Sequence, residues 1–207
     1  RTLPGVVGSN GTDRRVVGPA DGFARALDSM RAAHLRPEVI VAEAPAPQRL
    51  APFTAALTAD VTVDGEDLAT GRLVLLHDPA GHDAWQGAFR LVAYVRATLD
   101  PEMAADPLLG AVGWSWLIDS LEAHRAGYLS PSGTVTRVAS ASFGAIAGEV
   151  AEAEIEIRAS WTPIGVTSSP GLAAHVEAFG ELLTTLAGLP PLPPEVAVLP
   201  PPRAPRS

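Results

Sequence analysis

The chain has 207 residues, 47% of them apolar, and a formal net charge of −8; that composition suits a globular protein rather than a disordered one. It has no Cys, and all 15 basic residues are Arg. These two gaps exclude disulfides, thiol nucleophiles, iron–sulfur ligation and Cys-held zinc, together with Schiff-base lysines and the phosphate lysine of a Walker loop.

The missing Lys goes with abundant Ala, Pro (20), Gly (19) and Arg, all encoded by GC-rich codons, so the Arg content alone implies no function. Residues 20–190 hold ten Arg against twenty-one acids. A body this acidic repels phosphate backbones, which disfavours nucleic-acid binding. No apolar run has the length of a membrane span, and none of signal-peptide length occurs in residues 1–19. A cytoplasmic protein off the membrane is the expectation.

Residues 1–19 are rich in Gly, Ser, Asn and Arg without periodicity and read as a disordered tail. A first helix is expected over Asp21–Leu35, with Asp21 as its N-cap and Phe23, Leu27 and Met30 on one face. The Pro-interrupted stretch Arg36–Pro52 leaves room for a short strand at Val39–Val41. Leu57, Ala59, Val61 and Val63 alternate with polar residues and predict a half-buried strand. Strands follow over Arg72–His77 and Phe89–Leu99.

Asp106 and Pro107 signal a second helix as N-cap and first helical residue, and Gly127 suits its left-handed end. Two further strands are predicted over Thr134–Phe143 and Val150–Trp161. In the latter, apolar Ala151 to Trp161 alternate with Glu152, Glu154, Glu156 and Arg158. A third helix starts at Ser169–Pro170, carries the stripe Leu172, Val176, Phe179, Leu183, Leu186, and ends at Gly188. Residues 190–207 hold eight prolines and read as a Pro-rich tail.

The expected order is α-β-β-β-α-β-β-α in one domain over residues 20–189. Strands in runs imply a two-layer α+β fold: an antiparallel or mixed sheet of about five strands with helices on one face. This order is similar to that of the type III secretion chaperone-like fold, an analogy of topology alone.

Several blocks carry a resemblance. They are Arg36–Pro37–Glu38–Val39, Pro45–Ala46–Pro47, the run Thr70–Gly71–Arg72–Leu73–Val74–Leu75–Leu76–His77–Asp78–Pro79, Phe89–Arg90–Leu91–Val92 and Asp106–Pro107–Leu108–Leu109. Gly113–Trp114–Ser115–Trp116–Leu117, Gly133–Thr134–Val135–Thr136 and Ala159–Ser160–Trp161–Thr162–Pro163 complete the set. In order over about residues 20–200, they resemble an actinobacterial family catalogued as domain of unknown function 3000. The resemblance implies no catalytic residues.

The densest chemical cluster is His77, Asp78, His82 and Asp83 on an expected connection. Imidazole with carboxylate suits zinc, iron or manganese, but the spacing fits no standard metal motif. Asp–Pro and Ala–Gly at a strand end read equally as a turn. Gly113–Trp114–Ser115–Trp116–Leu117 is half a nucleophile elbow, lacking the second Gly and placing Ser115 inside a helix. Gly113 there suits close helix–sheet packing. Glu152, Glu154 and Glu156 stand too far apart for a tight shared site, and facing Arg90, Arg96, Arg137 or Arg72 make a cross-strand ion ladder the plainer reading.

His34 and His124 sit at helix C-terminal ends, where a cation is favoured. His175 falls in the first turn of the third helix and is expected on its polar side. No cofactor motif is present, so no cofactor is expected. Arg90, Tyr94 and Arg96 share one sheet face with Val92 and form the candidate partner surface, Arg and Tyr being common hot-spot types. The sequence thus favours a non-enzymatic interaction module, chaperone-like or adaptor-like, that binds a protein partner or pairs as a homodimer. The alternative is a metal-dependent or acid–base enzyme built on the His77–Asp83 loop.

Overall fold

The computed structural model describes residues 18–146 and 153–192. The expected tails lie outside the described residues except for 18, 19 and 190–192. Residues 150–152, the expected start of the last strand with Glu152, also lie outside them.

In chain order the elements are α1 (Pro19–Arg31), β1 (Val39–Ala44), β2 (Phe53–Val63), β3 (Glu66–His82), β4 (Gly87–Leu99), α2 (Pro101–Ala105), α3 (Leu109–Ala123), β5 (Tyr128–Ala139), β6 (Ala153–Pro163) and α4 (Leu172–Leu186). A one-turn 3-10 helix, Asp83–Trp85, sits in the β3–β4 hairpin. The strands form one sheet in the order β1-β2-β3-β4-β6-β5, and every neighbouring pair is antiparallel. β1 to β4 make a meander. The chain then crosses through α2 and α3 to the far edge, lays down β5, and returns with β6 between β5 and β4. No helix among the described residues is long and apolar enough to cross a membrane.

Alternation of side chains sends one row after another to the helix side. One row runs Val41, Ala59, Gly71, Val95, Ile157, Val135 across the sheet. The next runs Glu43, Leu57, Leu73, Ala93, Ala159, Gly133. α4 packs on this face between α1 and α3, and twelve of its 15 residues are buried. Each fully buried Leu contributes on the order of 2 kcal/mol, and α4 supplies Leu172, Leu182 and Leu183 at 0% exposure. Small residues admit the helices: a Cβ on Gly71 would stand 2.7 Å from the Phe179 ring. On Gly113 it would meet Ile155 at 3.0 Å and Val135 at 3.3 Å, so α3 does pack closely through that glycine.

The α+β class and the one-sided helix layer agree with expectation, but the count and order differ. Among the described residues there are six strands and four α-helices. β1 forms because β2 offers an open edge to the β-branched pair Val39 and Val41. The second helix is divided. Asp100 caps Glu102 N at 2.8 Å with Pro101 at the first helical position, giving α2. Asp106 instead caps the turn at Leu108 N (2.8 Å), and α3 starts at Leu109. α1 starts at Pro19 with Gly18 as N-cap, and Asp21 reaches back to Gly18 N at 3.2 Å. After α3 the left-handed residue is Arg125 (φ 53°), not Gly127, whereas Gly188 (φ 72°) takes the left-handed position after α4.

Candidate functional site

The four residues of the His/Asp loop do not converge. His77 is 5% exposed and shares its row with Phe53 and Phe89 on the helix face. Its ring stacks on Phe89 at 4.0 Å, with Phe23 of α1 at 6.1 Å and Phe53 at 5.6 Å. Nδ1 lies 3.0 Å from the carbonyl of Ala88. His82 stands exposed in the hairpin, stacked on Trp85 at 4.8 Å, and its Nδ1 accepts from Ala84 N at 3.2 Å. Asp78 accepts from Ala80 N at 3.0 Å, a short turn cap. Asp83 opens the 3-10 turn and is exposed. Among the described residues no group of three or more His, Cys, Asp or Glu is placed to hold a metal ion. Strand alternation explains this: an aromatic row at the sheet end captures His77 while the hairpin carries the others away.

Ser115 donates to the carbonyl of Val112 at 2.8 Å within its own helix. Trp161 of β6 is fully buried, and its indole N–H donates to His175 Nδ1 at 3.1 Å. His175 therefore lies in the core at 1% exposure, not on a polar side. With Nδ1 accepting, the ring proton sits on Nε2, which has no partner among the described residues. Burial lowers this imidazole to about 4.

The open face of the sheet carries the other candidates. Arg90 leaves the surface: it is 6% exposed. Nη1 donates to the Ser130 carbonyl (3.0 Å) and Thr162 Oγ1 (3.2 Å). Nη2 donates to Ser132 Oγ (3.1 Å), the Ser160 carbonyl (3.2 Å) and Ser160 Oγ (2.8 Å). The register of β5 against β6 shifts between Leu129 and Ser132, and the guanidinium fills the space this bulge opens. All these partners are neutral, and burial pulls Arg90 below its ordinary range.

Arg96 and Tyr94 stay at the surface. Arg96 grips Glu154 with both Nε (2.9 Å) and Nη2. Tyr94 donates to Glu156 at 3.0 Å, and Arg158, paired with Glu156 at 3.1 Å, lies over the Tyr94 ring at 5.4 Å. Burial, then the bond to Glu156, raises the Tyr94 hydroxyl above its usual range. Among the described residues, which do not include Glu152, the expected ladder exists in these two units. Arg72 turns to the carbonyl of Pro45, and Arg137 to those of Ala104 (3.3 Å) and Asp106 (2.5 Å). A shallow cleft of about 220 Å³ opens beside Arg96 and Glu154, lined also by Asp67, Thr70 and Thr98.

One cluster had no sequence signal, because its parts meet only when α3 and α4 pack. His124 faces Glu181 at 2.5 Å and Glu177 at 3.6 Å, and Glu177 also accepts from His34 N at 2.9 Å. These contacts fasten the ends of α1 and α3 to the outer stripe of α4.

A search of curated proteins found no match, and neither did a search of solved structures. Residues 19–197 match the family described as Protein of unknown function (DUF3000), and the chain belongs to that family.

Proposed function

We propose that the chain is a cytoplasmic, non-enzymatic interaction module, adaptor-like or chaperone-like, that binds a protein partner across the open face of its sheet. The observation that carries this reading is the Tyr94 ring held between β6 residues. Glu156 fixes its hydroxyl, Arg158 covers its face at 5.4 Å, and Glu154 steadies Arg96 beside it. Aromatic and Arg side chains already ordered before contact lose little freedom on binding, which is how hot-spot residues act. The neighbouring cleft gives a partner side chain a place to enter. The groups that suggested catalysis have structural employment instead: His77 packs among Phe rings, Asp78 caps a turn, and Ser115 bonds its own helix.

The test is quantitative co-purification from the native host. Wild type is compared with the double variant Tyr94→Ala/Arg96→Ala and with Leu50→Ser, an exposed change outside this face. The reading expects a stoichiometric partner on wild type and Leu50→Ser, reduced at least about tenfold on the double variant. An unchanged partner set on all three would place binding elsewhere.

A further inference from the structure

The two edges of the sheet differ. β1 has six residues, is followed by Pro45 and Pro47, and carries Glu43, paired with Arg31 at 2.8 Å. Brevity, proline and charge are standard protections against edge-to-edge pairing, and they hold here although Ile40 is exposed. β5 has 12 residues. Its first half is protected in the same manner, by Pro131 and the bulge with Ser130 at φ 47°.

Its second half, Gly133–Ala139, pairs residue for residue with β6. This half has no Pro, no acid and one Arg, and that Arg137 is drawn to carbonyls at the end of α2. No strand pairs with the outer edge of β5 among the described residues. Exposed apolar side chains occur on this strand and on the two helices in contact with it: Val138 on the open face of β5, Met103 on α2 and Val112 on α3. Alternate backbone groups along an edge strand point outward and seek partners.

We infer that this edge pairs with the same edge of a second copy, making a homodimer with one continuous sheet. A strand that meets its own copy antiparallel needs only to be compatible with itself. Opposed residues must share a face, so the two-fold axis passes through a residue, and the midpoint of Gly133–Ala139 is Thr136. Thr136 then faces Thr136, Thr134 faces Val138, Val135 faces Arg137, and Gly133 faces Ala139. No charge opposes a like charge, and a Thr–Thr contact on the axis is a favourable cross-strand pair. The axis stands normal to the sheet, so both helix layers lie on one side. The open faces carrying Tyr94 join into one surface, but the dimer does not depend on the partner reading above.

The test is sedimentation equilibrium on the full chain over a wide concentration range. Wild type is expected at twice the 21.4 kDa of one chain. Thr136→Asp and Thr136→Lys, each placing like charges on the axis, are expected to weaken the dimer at least about 100-fold. An equimolar mixture of the two variants is expected to recover it. Thr136 is exposed, and should either variant fail to fold by circular dichroism, the other still carries the comparison. Wild type at the mass of one chain throughout overturns the inference. So does a dimer indifferent to both substitutions, or a mixture of folded monomeric variants that does not associate.

Discussion

The two faces of one sheet bury polar groups in opposite ways. On the helix face two imidazole rings are buried: His77 among three Phe rings, and His175 accepting from Trp161. On the open face a full cation, Arg90, is buried under five bonds to carbonyls and hydroxyls. Burial on the dry face favours the uncharged form of His175. The wet face holds a charge because strand backbones and Ser and Thr hydroxyls surround it. Each face is therefore open to a different kind of disruption.

The largest expected effect is on the dry face. Trp161→Ala removes the largest fully buried side chain and strands His175 Nδ1 without its donor. Losing an aromatic of this size from a core costs about 3–5 kcal/mol, and an orphaned acceptor adds to it. Chemical denaturation checks this. Trp161→Phe, which keeps most of the volume but not the N–H, is expected to fall between wild type and Trp161→Ala.

Next comes acid. His175 titrates at about 4 in the folded chain, against an ordinary 6.5, because burial disfavours its charged form. Between these values the unfolded chain binds more protons than the folded one, so stability rises with pH there and falls on acidification. Lowering the pH from about 6.5 to about 4 is expected to remove on the order of 3 kcal/mol through this residue. Well above pH 6.5 it contributes no slope. His175→Phe is expected to flatten that part of the stability–pH profile even if it changes stability at neutral pH. A profile of unchanged slope would show that His175 is not the group responsible.

Much of this contrast was legible in the sequence and some of it was not. The alternation expected over Val150–Trp161 and the stripe from Leu172 to Leu186 located β6 and α4, which run Ala153–Pro163 and Leu172–Leu186. Periodicity reports which face a residue takes, but not how deep that face lies. His175 falls between apolar neighbours on a helix that α1, α3 and the sheet enclose on three sides, a fact of packing alone. Arg90 shares its face and strand with Arg96, and nothing local separates them. What separates them is the bulge in β5, forty residues away in the chain, which brings Ser130 and Ser132 over Arg90. The His77 loop makes the same point: four ligand residues of two types fall within seven positions, yet the strand sends His77 to the core while His82 and Asp83 stand exposed in the hairpin.

Arg90 and Arg96 make the smallest and sharpest test, since strand, face and residue type are held constant. Arg90→Ala leaves the Ser130 carbonyl and the hydroxyls of Ser132, Ser160 and Thr162 without their shared donor. The expected loss is about 2 kcal/mol, the order for uncompensated, partly buried polar groups. Arg90→Lys is expected to recover little, because one ammonium does not reproduce two parallel guanidinium arms reaching two strands. Arg96→Ala breaks only a solvent-exposed pair with Glu154, and its effect on the denaturation midpoint is expected to lie within the scatter of ordinary surface changes. Equal losses at the two positions would mean that the hydroxyl nest around Arg90 adds nothing to burial of its stem. A large loss at Arg90 with none at Arg96 would show that the β5 bulge, not the alternation of β4, decides which arginine the fold requires.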